Sequence, residues 1–280
     1  MRKSIKPPEV VSIEVTNRCN FRCIHCYASS GEKASGELTT DEIKSLISNL
    51  YEFGVETVVL TGGEPLVHPD IIELCEHVKA CGLSLIINSN GALLTNEIAI
   101  KLSTLDLDLL SISLHGINSE THNEICGINS FNDSINAITI ALRHKIPLGI
   151  SSMICKLNYL EVPLIYKFAI AIGAKCISFF RFISVGRATS AYNQLYIGND
   201  VHKDVIRSLI EIASNRDDVT FKIEAPFIDL DREECNYIET VTCKAGIEIC
   251  TITSDGNVIG CNTLRDSSLY GGNVRALCFE

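Results

Sequence analysis

Apolar residues along the chain fall into short blocks separated by amphipathic stretches, and the spacing of the two kinds predicts alternating strands and helices. The first block covers 10–17 (VVSIEVTN), followed by 55–62 (VETVVLTG), 83–89 (LSLIINS), 107–114 (LDLLSISL), 147–154 (PLGISSMI) and 176–182 (CISFFRF). Blocks of this length, rich in Val, Ile and Leu and bounded by Gly, Asn or Ser, read as buried strands. Thr40-Asp41, His68-Pro69-Asp70 and Thr95-Asn96 mark helix starts between them, and helical periodicity recurs near 131–143, 160–171 and 201–214.

Strands alternating with helices of this length belong to the α/β class, with parallel pairing and right-handed crossovers. Six such units suffice for a partial (β/α)6 TIM-like barrel, a curved relative of the eight-fold barrel, and an open doubly wound sheet is the competing geometry. The rhythm changes beyond Ile183, where a Gly/Ser/Asn-bearing connection over 184–200 leads to one more helix and a short strand, VTFKIEA. In the cysteine-bearing tail, ICTITS, the turn Ser254-Asp255-Gly256-Asn257 and VIGC make a β-hairpin. The expected organisation is a core over 1–187 and a small C-terminal cysteine-rich extension over 188–280.

A hydrophobic content of 46% supplies material for one large core. The net charge of -10 is spread over short clusters, which argues against nucleic acid as the main partner. There is no apolar run long enough for a membrane span and no apolar core of a secretory signal, so a cytoplasmic location is expected. Cysteine changes the picture: 13 residues, against 2 Met and no Trp, point in a reducing compartment to metal or redox chemistry. Cys75, Cys81, Cys155 and Cys176 sit in or beside apolar elements and read as core filler.

Directly after the first strand, CNFRCIHC puts Cys19, Cys23 and Cys26 on one loop at the strand's C-terminal end. Three thiolates there can converge on one inorganic core. Iron-sulfur cubanes are normally held by four cysteines, so three imply an iron with an open position that an amino acid could chelate. Zinc is the competing occupant, although zinc sites favour paired CxxC modules and four ligands.

The pattern Cys19-x-x-x-Cys23-x-x-Cys26 resembles the signature of the radical SAM superfamily. That resemblance implies a 4Fe-4S cluster binding S-adenosylmethionine at its unique iron, reductive cleavage to a 5'-deoxyadenosyl radical and hydrogen abstraction from a substrate. His25 stands where the family places an aromatic or His beside the adenine. Thr61-Gly62-Gly63-Glu64-Pro65, after the second strand, resembles the GGEP motif that holds the amino group of S-adenosylmethionine, although a plain tight turn would also use these residues. Asn88-Ser89-Asn90-Gly91 and Ser111, Ser113 and His115 follow the next two strands and resemble ribose and carboxylate contacts; His115 replaces the family's usual acid. Cys126 stands where many relatives offer an Arg to the methionyl carboxylate, and it reads as an inert loop cysteine, with Arg181 the candidate replacement cation.

Cys243, Cys250 and Cys261 bracket the hairpin, and CKAGIEICTITSDGNVIGC resembles the SPASM or twitch extension of radical SAM enzymes, as does Gly272-Asn273-Val274-Arg275. The resemblance implies an auxiliary 4Fe-4S cluster on Cys243, Cys250 and Cys261, with Cys278 as fourth ligand and Cys235 as an outside candidate. The tail stops at Glu280, where the full extension continues with a helix, so an incomplete auxiliary site is an alternative. Relatives of this layout imply a flavodoxin- or ferredoxin-type electron donor and a peptide or tetrapyrrole substrate. A precursor peptide would need a separate leader-binding protein, because the barrel begins by residue 10. A non-catalytic iron-sulfur electron carrier or redox sensor is the rival from another class.

Overall fold

The computed structural model describes residues 6–213, 220–224 and 243–276. Six parallel strands form its centre: β1 (Val10–Glu14), β2 (Thr57–Thr61), β3 (Ser84–Ser89), β4 (Leu109–Ser113), β5 (Leu148–Ile154) and β6 (Cys176–Arg181). Each lies inside its expected block. They pair strictly in sequence order, and β7 (Thr220–Glu224), the expected short strand, adds to β6 in parallel. A doubly wound sheet would reverse direction at a switch point. Here the chain winds one way from β1 to β7, as a partial barrel does, and the sheet stays open, with β7 at one edge.

The hairpin also forms, from β8 (Ile249–Ile252) and β9 (Asn257–Ile259). β8 pairs in parallel with β1, and β10 (Gly272–Asn273) closes the other edge against β9. The C-terminal hairpin thus extends the barrel's own sheet on the side where the first strand would otherwise present an edge.

Helices cover the sheet where the spacing placed them: α1 (Thr40–Phe53), α2 (Ile71–Ala80), α3 (Asn96–Ser103), α5 (Phe131–Arg143), α6 (Val162–Ala171) and α8 (Asn199–Ala213). In α1, Ile43, Leu46, Ile47 and Leu50 recur at helical spacing and are all buried. Its N-cap is Thr39, one residue before the expected start, because Thr39 and Glu42 form a reciprocal capping box. Two helices were not legible: α4 (Ser119–Cys126) and the short α7 (Tyr192–Leu195). SETHNEIC has little apolar periodicity. α4 is fixed instead by its ends, with Asn118 Oδ1 accepting from Thr121 N at 3.0 Å and Gly127 in the left-handed conformation.

Cys75, Cys155 and Cys176 are buried, and Cys81 packs half-buried against the main core that contains Cys75, as expected of filler cysteines. Among the described residues, no helix is long and apolar enough to cross a membrane.

Candidate active site

The loop between β1 and α1 carries Cys19, Cys23 and Cys26, all free and half-buried. Its base is closed by Cys19 N donating to Gly31 O (3.0 Å) and Gly31 N donating to Asn17 O (2.9 Å). Glu37 holds the stem, accepting from Asn17 N at 2.8 Å, Ala34 N at 2.9 Å and Thr16 Oγ1 at 3.1 Å. Arg187, from the segment after β6, donates to Cys23 O and Ser30 O, both at 2.8 Å. The loop shape therefore depends on two charged residues that the motif does not contain.

Burial pushes the Cys19 thiol up to about 12. The Cys23 thiol is also pushed up, first by the adjacent Cys126 thiol and then by burial. Such thiols ionise only when a strongly charged metal core compensates, and three thiolates, one per iron, suit an iron-sulfur core. No three Cys, His, Asp or Glu side chains among the described residues are grouped tightly enough to hold a single metal ion.

The Gly62-Gly63-Glu64-Pro65 turn packs directly on this loop. A Cβ at Gly62, whose φ is +137°, would lie 2.4 Å from Thr16 O, and one at Gly63 would lie 2.3 Å from Arg18 O. The N–H groups of Gly63 and Glu64 donate to Thr16 O (2.8 Å) and Arg18 O (2.9 Å), so both donors are committed within the protein. Only glycine permits this approach of two backbones.

Glu64 is 1% exposed, and its carboxylate ties the loop after β2 to the end of β3. It accepts from Leu66 N at 3.0 Å, Ser89 Oγ at 2.7 Å and Asn90 N at 2.7 Å. Burial pushes its carboxyl up to about 7 against the pull of those donors. Asn90 continues the chain of contacts, its Nδ2 donating to Asn20 Oδ1 at 2.8 Å and lying 4.0 Å from Cys19 Sγ. Ser89 is buried, Thr61 and Ser113 half-buried, and Asn88 exposed, all at the C-terminal ends of their strands.

His25 and His115 come together, their rings 4.6 Å apart in an edge-to-face arrangement. His25 Nδ1 lies 3.2 Å from Ile125 O; a carbonyl only accepts, so Nδ1 carries the proton and Nε2 is left as acceptor. Burial depresses the His25 ring to about 4, so it is neutral near pH 7. His115 is 3% exposed and accepts from Met153 N at 3.2 Å, which puts it behind His25. Cys126 is not in a loop: it ends α4, buried, with its Sγ 3.4 Å from His122 Nε2.

Arg181 stands apart from this network. Its Nη2 donates to Asn199 Oδ1 at 2.5 Å, and it lines a cavity of about 420 Å³ at the end of β6. In the C-terminal region, Cys250 lies in β8, Cys261 just after β9 and Cys243 is exposed ahead of the hairpin. Cys235 and Cys278 lie outside the described residues. The segment after the hairpin reaches the cluster loop through Arg265, which pairs with the buried Glu14 and lies 5.0 Å from the Tyr27 ring centroid.

A one-way parallel sheet with three free thiols on its first loop and a glycine turn locked beneath them defines a partial-barrel enzyme of the iron-sulfur class. Residues 13–169 match the Radical SAM superfamily, and the chain belongs to that superfamily. Membership implies a 4Fe-4S cluster and S-adenosylmethionine. The chain is 30% identical over 290 residues to the AdoMet-dependent heme synthase of Methanosarcina barkeri, covering 98% of this chain and 81% of the relative. It is 28% identical to the mycofactocin maturase MftC of Mycobacterium tuberculosis, over 97% of this chain and 69% of that protein. The structure of Streptococcus suis SuiB bound to S-adenosylmethionine shares the fold, with a TM-score of 0.78 at 17% identity over 95% of this chain and 63% of the SuiB chain.

Proposed function

We propose that this radical SAM enzyme holds its 4Fe-4S cluster on Cys19, Cys23 and Cys26 and acts on a tetrapyrrole or a closely related cofactor precursor. The carrying observation is the continuous chain of contacts from Glu64 through Asn90 and Asn20 to Cys19, which joins three strand-end loops into one preorganised mouth. When bound, the cluster supplies one electron to split S-adenosylmethionine, releasing a 5'-deoxyadenosyl radical that abstracts hydrogen from the substrate.

The chain's own residues hold and orient. Glu64 fixes the turn of Gly62 and Gly63 against the cluster loop, leaving Thr61 and the turn's remaining backbone groups to meet the methionyl end. Neutral His25 offers Nε2 as an acceptor toward the adenine, with His115 packed behind it. Asn88, Asn90 and Ser113 are the polar groups for ribose and carboxylate. Residues 1–187 act as the catalytic core, and 188–280 carry the extension, in which Cys243, Cys250, Cys261 and Cys278 are the candidate ligands of an auxiliary cluster. A flavodoxin- or ferredoxin-type protein supplies the electron, in the cytoplasm.

The heme synthase relative supports the tetrapyrrole reading through its coverage of nearly the whole chain. MftC, a maturase, supports a second reading in which a precursor peptide is the substrate. Anaerobically reconstituted protein given S-adenosylmethionine and a strong reductant is expected to release 5'-deoxyadenosine. Release no greater than from a Cys19/Cys23/Cys26→Ala control would favour an electron carrier or sensor instead.

A further inference from the structure

β6 ends in an aromatic and cationic run, Phe179 to Phe182, and the chain then doubles back through α7 into α8. Two contacts fix this reversal. Lys156 N donates to Leu195 O at 2.9 Å, tying α7 to the end of β5, and Arg187 ties the preceding segment to Cys23 O. Gly186, with φ +63°, sits so close to the cluster loop that an added Cβ would lie 2.2 Å from Tyr27 O. The cavity of about 420 Å³ lies within this reversal and is held in place relative to the cluster loop.

Its walls are unusual for a surface. Tyr192 and Tyr196 stack with ring centroids 4.8 Å apart and 14° between planes, and Phe182 lies 6.3 Å from Tyr192. Tyr192 is 42% exposed and Ile183 is 39% exposed. Phe182 and Tyr196 belong to a small second core with Ile125 and Ile24, so the wall rests on the residue beside Cys23. Arg181 lines the same cavity, with the Asn199 amide oxygen accepting from its guanidinium.

We infer that this cavity seats a planar conjugated ring bearing carboxylate side chains, the tetrapyrrole of the proposed function, with the ring on Tyr192 and Ile183 and a carboxylate on Arg181. The inference rests on the tetrapyrrole reading and adds the place and the residues. Flat apolar surface calls for a flat apolar face, and a guanidinium calls for a carboxylate, which it can bind through two parallel hydrogen bonds. Among the described residues that line the cavity, Arg181 is the one cation, which suits a carboxylate better than a triphosphate. In this arrangement Arg181 serves the substrate and leaves the methionyl carboxylate to other groups.

The test uses the full chain, cluster-loaded and free of oxygen, titrated with iron coproporphyrin III and followed by the ring's visible absorption. Saturable binding is expected, weakened about ten- to hundredfold in Arg181→Gln, the range for a lost charge-assisted hydrogen bond. Tyr192→Ala, at a half-exposed position, is expected to weaken binding about two- to tenfold. The tetramethyl ester of the same ring should bind wild-type protein no better than the free acid binds Arg181→Gln, and should not distinguish wild type from that variant. Equal affinity of wild type and both variants, or equal binding of acid and ester, overturns the inference. So does a tyrosine-ended peptide whose binding the variants weaken while ring binding is unchanged. Protein that releases 5'-deoxyadenosine yet fails to bind the ring sinks this inference alone, whereas protein that binds the ring without that release sinks the proposed radical chemistry.

Discussion

The mouth of the barrel has two unlike sides. Over β1 to β3 nearly every polar group is committed: Glu64 accepts three donors, Gly63 and Glu64 spend their N–H groups on the cluster loop, and Glu37 and Arg187 brace its stem. Over β6 and α7 the surface is aromatic and partly open, with one guanidinium held by an amide. The first side is built for a fixed geometry, as expected of the place where one cosubstrate is always handled in the same way. The second leaves apolar surface in water, a state that binding of a partner with a matching face would relieve.

Removing the chemistry should produce the largest effect. Any of Cys19→Ala, Cys23→Ala or Cys26→Ala is expected to abolish cluster loading, measured as iron and sulfide content after anaerobic reconstitution, with 5'-deoxyadenosine release falling to background. Next comes the anchor. Glu64→Ala strands the Leu66 and Asn90 N–H groups and the Ser89 hydroxyl, and a loss of about 3 kcal/mol in denaturant unfolding is expected from orphaned buried donors. An unchanged midpoint would mean that the committed side is less tightly coupled than its hydrogen bonds indicate.

Gly63→Ala should act through the backbone, since its Cβ would meet Arg18 O at 2.3 Å. A cost of about 1–3 kcal/mol, together with faster loss of the cluster in air, would locate the strain in the cysteine loop. On the open side, Tyr192→Ala should change stability by less than about 1 kcal/mol, because a half-exposed ring loses little packing. A larger loss there would erase the contrast between the two sides.

The smallest effect concerns pH. His202, buried in α8 beside Arg181, is held down to about 4 by burial and then by that charge, and its Nε2 has no partner among the described residues. Below its unfolded value near 6.5 the unfolded chain takes up a proton that the folded one refuses, so stability falls as pH drops from 6.5 toward 4. His202→Leu should flatten that fall in a series of melting temperatures between pH 7 and 5. Glu64 has the opposite sign: its raised carboxyl loses its contribution as pH rises from 4.5 toward 7, so the two sides of the barrel pull the pH profile in different directions.

Much of this was legible beforehand. Strand blocks are a matter of local composition, and all six core strands lie within the expected segments because each buries apolar residues drawn from one short local run. The cysteine triplet and the Gly62-Gly63-Glu64-Pro65 turn are contiguous, so their spacing alone marks them. α4 escaped because its stability comes from an Asn cap and a Gly stop around a polar sequence. Cys126, read as an inert loop thiol, ends that helix against Cys23 and His122, a contact that no spacing encodes.

By itself the sequence determined the alternation of strands and helices, the radical SAM cysteine loop and the glycine turn after β2, because each depends on residues close together in the chain. Only the tertiary structure decided that the Glu64 carboxylate ties the loop after β2 to the end of β3, that Arg187 and Glu37 shape the cysteine loop, and that the C-terminal hairpin lies against β1. It also decided that Arg181 faces a cavity walled by Tyr192 and Tyr196. The reason is geometric: in a parallel barrel the loops that meet at one mouth are separated by whole strand-helix units, so their side chains become neighbours only when the sheet curves and brings the strand ends together.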